Sequence, residues 1–475
     1  MTEIIKRNKA LSISPLKTSS TMGAALAFMG IKDTIAMLNG AQGCTAYGKI
    51  FLIGHFREPV PLQTTAMDQV STVMGADSNV VEGLKAICDN LQPALIGIPT
   101  TGLAETQGSD TSGAVTDFRL NHPEHTKTAV VPVETPDYAG SLESGFAKAV
   151  TAMIDKLVPD AVEKGGIATN RQVNVLVNAS LTPGDIEVLK EIIEAFDLIP
   201  LVIPDLSGGF DGHLAEHDYS PLTTGGTNVE DFEILHKAKA TLTIGNSMTS
   251  AAKLLYERTG VPDYYFDHLM GIEAIDHFTY TLHKLSGHPV PPRLERQRSQ
   301  LQDAMLDAHF TLGMSNMAMA ADPDLLKAFG DLLNSMGADM VAAVSPSNAH
   351  ILKQVMAPQV KIGDLEELEK LANNENAKLI IGSAHCAASA ERLGLPLHRA
   401  GFPQYDRLGG PARCSIGYRG TRATLFDLAN LLIEADPGAV TPYRSIYAQK
   451  QDQGDQRNES KSTNHPQAYT GRLHS

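Results

Sequence analysis

The stretch VNVLVNASLTPGDIEVLKEIIEAFDLIPLVI, running from Val173 to Ile203, decides the fold. Val173 to Val177 is a short apolar, β-branched run fit for a buried strand. Thr182 follows as a helix N-cap. Pro183 stands at the first helical position, where its missing N–H costs nothing, and Asp185 lies near the positive helix end. The spacing predicts a helix to about Phe196, after which Ile199 to Ile203 returns as a strand. Strand, helix and strand in that order make a βαβ unit, and repetition of such units makes parallel sheets covered by helices.

The same logic recurs outward along the chain. Asp322-Pro323 reads as a cap and first helical residue, Gly337 as a left-handed stop, and Met340 to Val344 as the next strand. TLTIGNSMTSAAKLLYERTGVP, from Thr241, and KLIIGSAHCAASAERLGLP, from Lys378, share one plan: strand, Ile-Gly turn, Ala-rich helix, Gly stop, Pro. Ala94 to Ile98 leads into the loop Pro99-Thr100-Thr101-Gly102. The expected fold class is therefore α/β, with three Rossmann-like domains, each a mostly parallel sheet flanked by helices. Their expected spans are 15–165, 170–290 and 310–435. His288-Pro289-Val290-Pro291-Pro292-Arg293 is a joint that cannot continue a helix, and the helix from Leu294 to about Thr311 is expected to bridge domains. Residues 449–475 have almost no apolar side chains and read as a disordered tail.

A chain of 475 residues exceeds what one core serves, and its 43% hydrophobic and 20% charged residues are those of a globular protein. Its formal charge of -15 argues against nucleic acid or an anionic membrane as partner, since both need a basic face. No secretory leader or membrane-spanning run is evident, so the expected location is cytoplasmic. The four cysteines, Cys44, Cys88, Cys386 and Cys414, include no C-x-x-C pair. A complete zinc or iron–sulfur site within one chain normally shows such pairs. Any cluster held here must be shared with another chain or use few protein ligands.

Cys44 lies in Asn39-Gly40-Ala41-Gln42-Gly43-Cys44-Thr45-Ala46-Tyr47-Gly48, read as a glycine-bearing loop. Spacing alone allows two readings: a small buried hydrophobe, or a thiolate among exposed N–H groups suited to an iron–sulfur cluster. Cys88, on the apolar face of VVEGLKAICDNL, reads as core. His385-Cys386 sits at a strand-to-helix turn, where α/β folds bind ligands or simply cap helices. Cys414, near Arg413 and Arg419, reads as a surface thiol with lowered pKa. His55, Arg57 and Glu58 read either as an internal ion-paired group or as support for the Cys44 loop and a partner. Arg293, Arg296 and Arg298 read as a solvated helix face. The loops Ser207-Gly208-Gly209-Phe210 and Thr223-Thr224-Gly225-Gly226 fit neither dinucleotide nor P-loop patterns. No nucleophile–His–acid motif of a hydrolase stands out.

The run GAQGCTAYGKIFLIGHFREPVPLQTTAMDQVSTVMGADSNVVEGL, from Gly40 to Leu84, resembles the nitrogenase component 1 family, and within it the cofactor-assembly branch. PTTGLAETQGSD, from Pro99, and GLPLHRAGFPQYDRLG, from Gly394, fit the same family, so the resemblance spans about residues 15–435. It implies three Rossmann-type domains. It also implies that Cys44 is the single ligand this chain gives to a 4Fe–4S cluster shared with a NifE-like partner, whose three cysteines complete the site. The family's catalytic β-subunit brings further cluster ligands at positions that fall on Leu62, Gly102 and Asp137, which favours a scaffold over a reductase. The resemblance implies an α2β2 heterotetramer, not itself an enzyme. On it an iron–molybdenum cofactor precursor, bound mainly by the partner, would be matured with molybdenum and homocitrate and released to apo-nitrogenase. Further implied partners are the nitrogenase iron protein and precursor-delivering and cofactor-carrier proteins. The alternatives are the β-subunit of a catalytic nitrogenase-like reductase, and a metal-free α/β binding module.

Overall fold

A computed structural model describes residues 2–9, 12–160, 171–214 and 220–435. The expected tail, 449–475, and the expected boundaries at 165 and 170 lie outside the described residues.

The described residues hold three sheets, in which every strand pair is parallel. A first short strand, β1 (Glu3–Ile5), belongs to the last of them. The first sheet contains β2 (Thr34–Leu38), β3 (Leu62–Thr64), β4 (Leu95–Pro99) and β5 (Ala129–Val133), in the order β3-β2-β4-β5. The second contains β6 (Gln172–Leu176), β7 (Ile199–Ile203), β8 (Thr241–Ile244) and β9 (Asp263–Phe266), in the order β7-β6-β8-β9. The third contains β10 (Asn316–Ala320), β11 (Asp339–Ser345), β12 (Gln359–Ile362), β13 (Leu379–Gly382) and β14 (Leu397–Arg399), in the order β1-β12-β11-β10-β13-β14. The strands are short apolar runs, mostly buried on both faces, as parallel sheets under helices require. In each sheet the order reverses between two strands, and the carboxyl ends there form the crevice where open α/β sheets bind ligands.

The βαβ unit at residues 172–203 has the expected cap. Thr182 Oγ1 accepts from the N–H of Asp185, and Asp185 Oδ2 accepts from the N–H of Thr182, which starts the helix Pro183–Glu194. Asp185 does more than cap: Oδ1 also accepts from the N–H groups of Ser415 and Ile416, fastening the helix Gly417–Ala435 to this domain. That last helix packs along the helix Pro292–Leu312, so the C-terminal end of the expected third domain lies on second-domain helices and the bridging helix.

Asp322 departs from expectation. It is the residue before the helix Pro323–Ser335, yet its carboxylate makes no cap and accepts instead from Ser141 Oγ. Its neighbour Asp324 reaches into the crevice between β6 and β8. There it accepts from Asn178 Nδ2 and from the N–H groups of Asn246 and Ser247, at 3.0, 3.0 and 3.2 Å. The N–H of Asp324 in turn donates to Glu143 Oε2 at 2.9 Å. One buried carboxyl group from the helix Leu142–Leu157 and two from the start of the helix Pro323–Ser335 thus meet beside the second sheet. Burial raises the pKa of all three, and repulsion from the neighbouring carboxylates adds to it at Glu143 and Asp322.

The two glycine-bearing loops have a packing role. Gly225 stands so close to Gly208 that an added Cβ would lie 1.9 Å from the Gly208 carbonyl oxygen. Only glycine lets these two backbones meet.

Candidate functional site

Cys44 is not in a loop. The chain leaves β2 at Leu38, turns through Asn39-Gly40-Ala41, and enters the helix Gln42–Phe56, so Cys44 occupies its first turn. Gly43 has open space around it, and Ala41 caps the helix with no side-chain hydrogen bond. Backbone N–H groups and an exposed thiol therefore share one positive helix end.

The turn before Cys44 is held by Asn39, which the sequence reading passed over. Its buried amide donates to Ser109 Oγ and Thr111 Oγ1, at 3.1 and 3.0 Å, while its side-chain oxygen accepts from Thr65 Oγ1 at 3.0 Å. Its carbonyl accepts from both the N–H and the hydroxyl of Thr101. Gly40 is pressed so close to Thr101 that a Cβ would fall 2.5 Å from that side chain. The signal that could have exposed Asn39 is a polar residue ending an apolar strand immediately ahead of a glycine.

Past Cys44 the helix presents an apolar row to solvent. Tyr47 is 64% exposed, Ile50 67% and Ile53 44%. Val70, Val73 and Met74, on or beside the short helix Gln69–Met74, are also exposed. The opposite side of the cysteine helix, Leu52 and Phe56, enters the core. Such a helix is finished on one face and open on the other.

His55, Arg57 and Glu58 do not form the expected ion-paired group. His55 is buried, stacks edge-on against Phe402 and accepts from the N–H of Gln404. Burial alone pushes its pKa down to about 3, which keeps the ring neutral. Arg57, in the left-handed region at φ 63°, ends the helix and donates to the Tyr405 carbonyl. His55 and Arg57 clamp the cysteine helix to the loop after β14. His385 lies beside the same clamp, with its ring 5.9 Å from Phe51 and 6.1 Å from Tyr405, and its buried Nδ1 has no partner among the described residues.

The other thiols are not accessible in this way. Cys88 and Cys386 are buried in separate cores. Cys414 corrects the sequence reading: it is mostly buried, donates to the Ile416 carbonyl, and has its pKa raised, not lowered, by burial and by Asp185. Arg298 also departs from a free solvated face, because it forks onto Asp276 with bonds of 2.7–3.0 Å.

The positions aligned with further cluster ligands of the catalytic relative hold none that resemble them. Leu62 is buried in β3, and Gly102 has no side chain. Asp137 lies against Gly102 and is bound by Thr21 Oγ1 at 3.1 Å. Among the described residues, no group of three His, Cys, Asp or Glu side chains converges as a metal site would require. No described helix is long and apolar enough to cross a membrane.

The family model "Nitrogenase component 1 type Oxidoreductase" matches residues 19–433. A protein of Klebsiella pneumoniae named "Nitrogenase iron-molybdenum cofactor biosynthesis protein NifN" is 44% identical over 434 residues, covering 91% of this chain and 94% of its own. A protein of the same name from Rippkaea orientalis is 43% identical, with 91% and 96% covered. The solved structure described as "Nitrogenase Cp1 at pH 6.5" superposes with a TM-score of 0.85 at 28% identity, covering 94% of this chain and 98% of that one.

Proposed function

The chain belongs to the nitrogenase component 1 family, and from that premise we propose that it is one subunit of the scaffold on which the nitrogenase iron–molybdenum cofactor is built. Its relatives carry the name of cofactor biosynthesis proteins over nine-tenths of its length. In this reading the chain is not itself an enzyme. A NifE-like partner holds most of the precursor while molybdenum and homocitrate are added, and the finished cofactor passes on to apo-nitrogenase. The iron protein and the precursor-delivering and cofactor-carrier proteins visit the assembled complex.

The observation that carries the reading is the exposed Cys44 thiol at the head of an exposed apolar row, Tyr47, Ile50 and Ile53. One thiol on a face that needs covering suits a 4Fe–4S cluster shared between subunits; among the described residues no donor set gathers for a cluster of the chain's own. Cys44 would be the one ligand from this side, with the N–H groups of the uncapped helix end near its sulfur. When bound, such a cluster passes single electrons. Asn39 fixes the turn, and the His55 clamp fixes the helix, so the thiol is positioned before any partner arrives. The reductase alternative needs further ligands where Leu62 and Gly102 stand.

A second exposed row supports a larger assembly. Leu306, Phe310 and Met314, on and just past the helix Pro292–Leu312, are 73, 93 and 90% exposed. Two separate apolar faces match the two kinds of contact that an α2β2 heterotetramer needs.

The test is anaerobic co-expression with the NifE-like partner, counting iron and recording EPR spectra for the wild type and Cys44→Ala. Loss or alteration of a 4Fe–4S signal in an intact complex supports the shared cluster. An unchanged signal makes Cys44 structural and refutes the ligand assignment.

A further inference from the structure

We propose that a cavity of about 190 Å3, beside the edge strand β14, binds a small oxyanion through His398 and Arg413. The cavity is enclosed by β14, the Ser180–Thr182 turn at the end of the second sheet, Phe329 of the helix Pro323–Ser335, and Thr424 of the last helix.

Alternation along β14 turns His398 to the face opposite Leu397 and Arg399. Its ring lies 5.9 Å from that of Phe329, and the residue is only 7% exposed. Yet, among the described residues, neither ring nitrogen makes a hydrogen bond, whereas the equally buried His55 is satisfied by Gln404. An imidazole that lines a cavity and makes no hydrogen bond to the described residues is open to a ligand in that cavity.

The charges acting on His398 are Arg413, Arg407 and Arg399, and together with burial they push its pKa down to about 3. Two guanidinium groups, those of Arg399 and Arg413, line the cavity. Arg399 is committed to Asp406, and Arg413 gives one nitrogen to Asp427, which also lines the cavity. A guanidinium has five N–H donors, so Arg413 retains donors for an anion. The neutral imidazole adds an N–H from the buried side. The available hydroxyls are already used: Ser180 donates to Asn178, Thr182 to the Arg413 carbonyl and Thr424 to the Gly420 carbonyl. Recognition thus falls to the Arg413 guanidinium and the His398 imidazole, which suits a small carboxylate or phosphate able to accept from both. The cavity is too small for a nucleotide.

The experiment is calorimetric titration of the full-length chain with citrate and, separately, with inorganic phosphate, at ionic strength held constant with KCl. One saturable site for either probe is expected, weakened at least tenfold by Arg413→Gln and by His398→Gln. The tighter probe identifies the chemistry as carboxylate or phosphate. Arg413 is largely on the surface, so its variant decides the matter even if His398→Gln fails to fold. Absence of binding beyond the chloride control, or equal binding by wild type and Arg413→Gln, overturns the proposal.

Discussion

The N–H of Gln404 donates to Nδ1 of His55 across 3.0 Å, joining the cysteine helix to a loop some 350 residues later in the chain. The contact works only while the ring is neutral, because a protonated Nδ1 has no lone pair to offer.

Acid should therefore loosen this joint. The folded-state pKa of His55 lies near 3, below its ordinary value of 6.5, so the unfolded chain takes up the proton first. The stability involved is complete above about pH 6.5 and declines as pH falls toward 3, by up to about 1.4 kcal/mol per pH unit for each such histidine. His398 adds the same trend. Urea midpoints should drop below pH 6.5, and His55→Gln should flatten that slope. His55→Ala, which strands the Gln404 N–H, should cost about 1–3 kcal/mol at neutral pH.

Glu143, Asp322 and Asp324 act in the opposite sense. Their pKa values are raised in the folded chain, so it holds protons that the unfolded chain releases. Stability from these groups is present below the ordinary carboxylate range and is lost as pH rises through their raised values. Glu143→Gln keeps an oxygen to accept from Asp324 while removing a charge. It should leave the thermal midpoint unchanged or higher at pH 8, whereas Glu143→Ala should lower it. A lower midpoint for the glutamine variant at that pH would show that the trio is stabilising when charged.

Asn39→Ala removes both halves of an amide that engages Ser109, Thr111 and Thr65. The loss should be about 2–3 kcal/mol in chemical denaturation, since the buried hydroxyls of Thr65 and Thr111 and the half-buried one of Ser109 lose a partner. Iron retention in the co-expressed complex should fall as well, because the turn sets the start of the cysteine helix.

Charges placed on the apolar row should separate assembly from folding. Tyr47→Asp with Ile50→Asp alters side chains that touch little of their own chain. The variant should unfold at close to the wild-type temperature on its own but fail to co-elute with its partner in size-exclusion chromatography. Phe310→Glu should instead halve the mass of the complex, leaving one copy of each subunit.

Local signals marked much of this architecture. Thr182-Pro183-Gly184-Asp185 specified a helix start that the structure reproduces, because caps depend on residues within one turn. Asp322-Pro323 misled for the same reason. The proline set the helix start, but the Asp322 side chain went to Ser141, a partner 181 positions away that no local pattern announces. Cys44 was singled out by resemblance, while its place in a helix was hidden by Gly40 and Gly43, which read as loop formers. Asn39, Gln404 and the trio around Glu143 stayed invisible because each acts through contacts between distant segments. Cys414 was misjudged because nearby arginines in sequence say nothing about burial.

β1 has an implication for how the molecule is made. Residues 3–5 pair with β12, and Lys9, Ser12 and Ile13 bind Asp364, so this segment is stitched to residues about 350 positions later. On a ribosome those residues emerge more than three hundred positions ahead of their partners. The segment is thus a latch that cannot close until β12 is made, and until it closes the strand β12 has an unprotected edge.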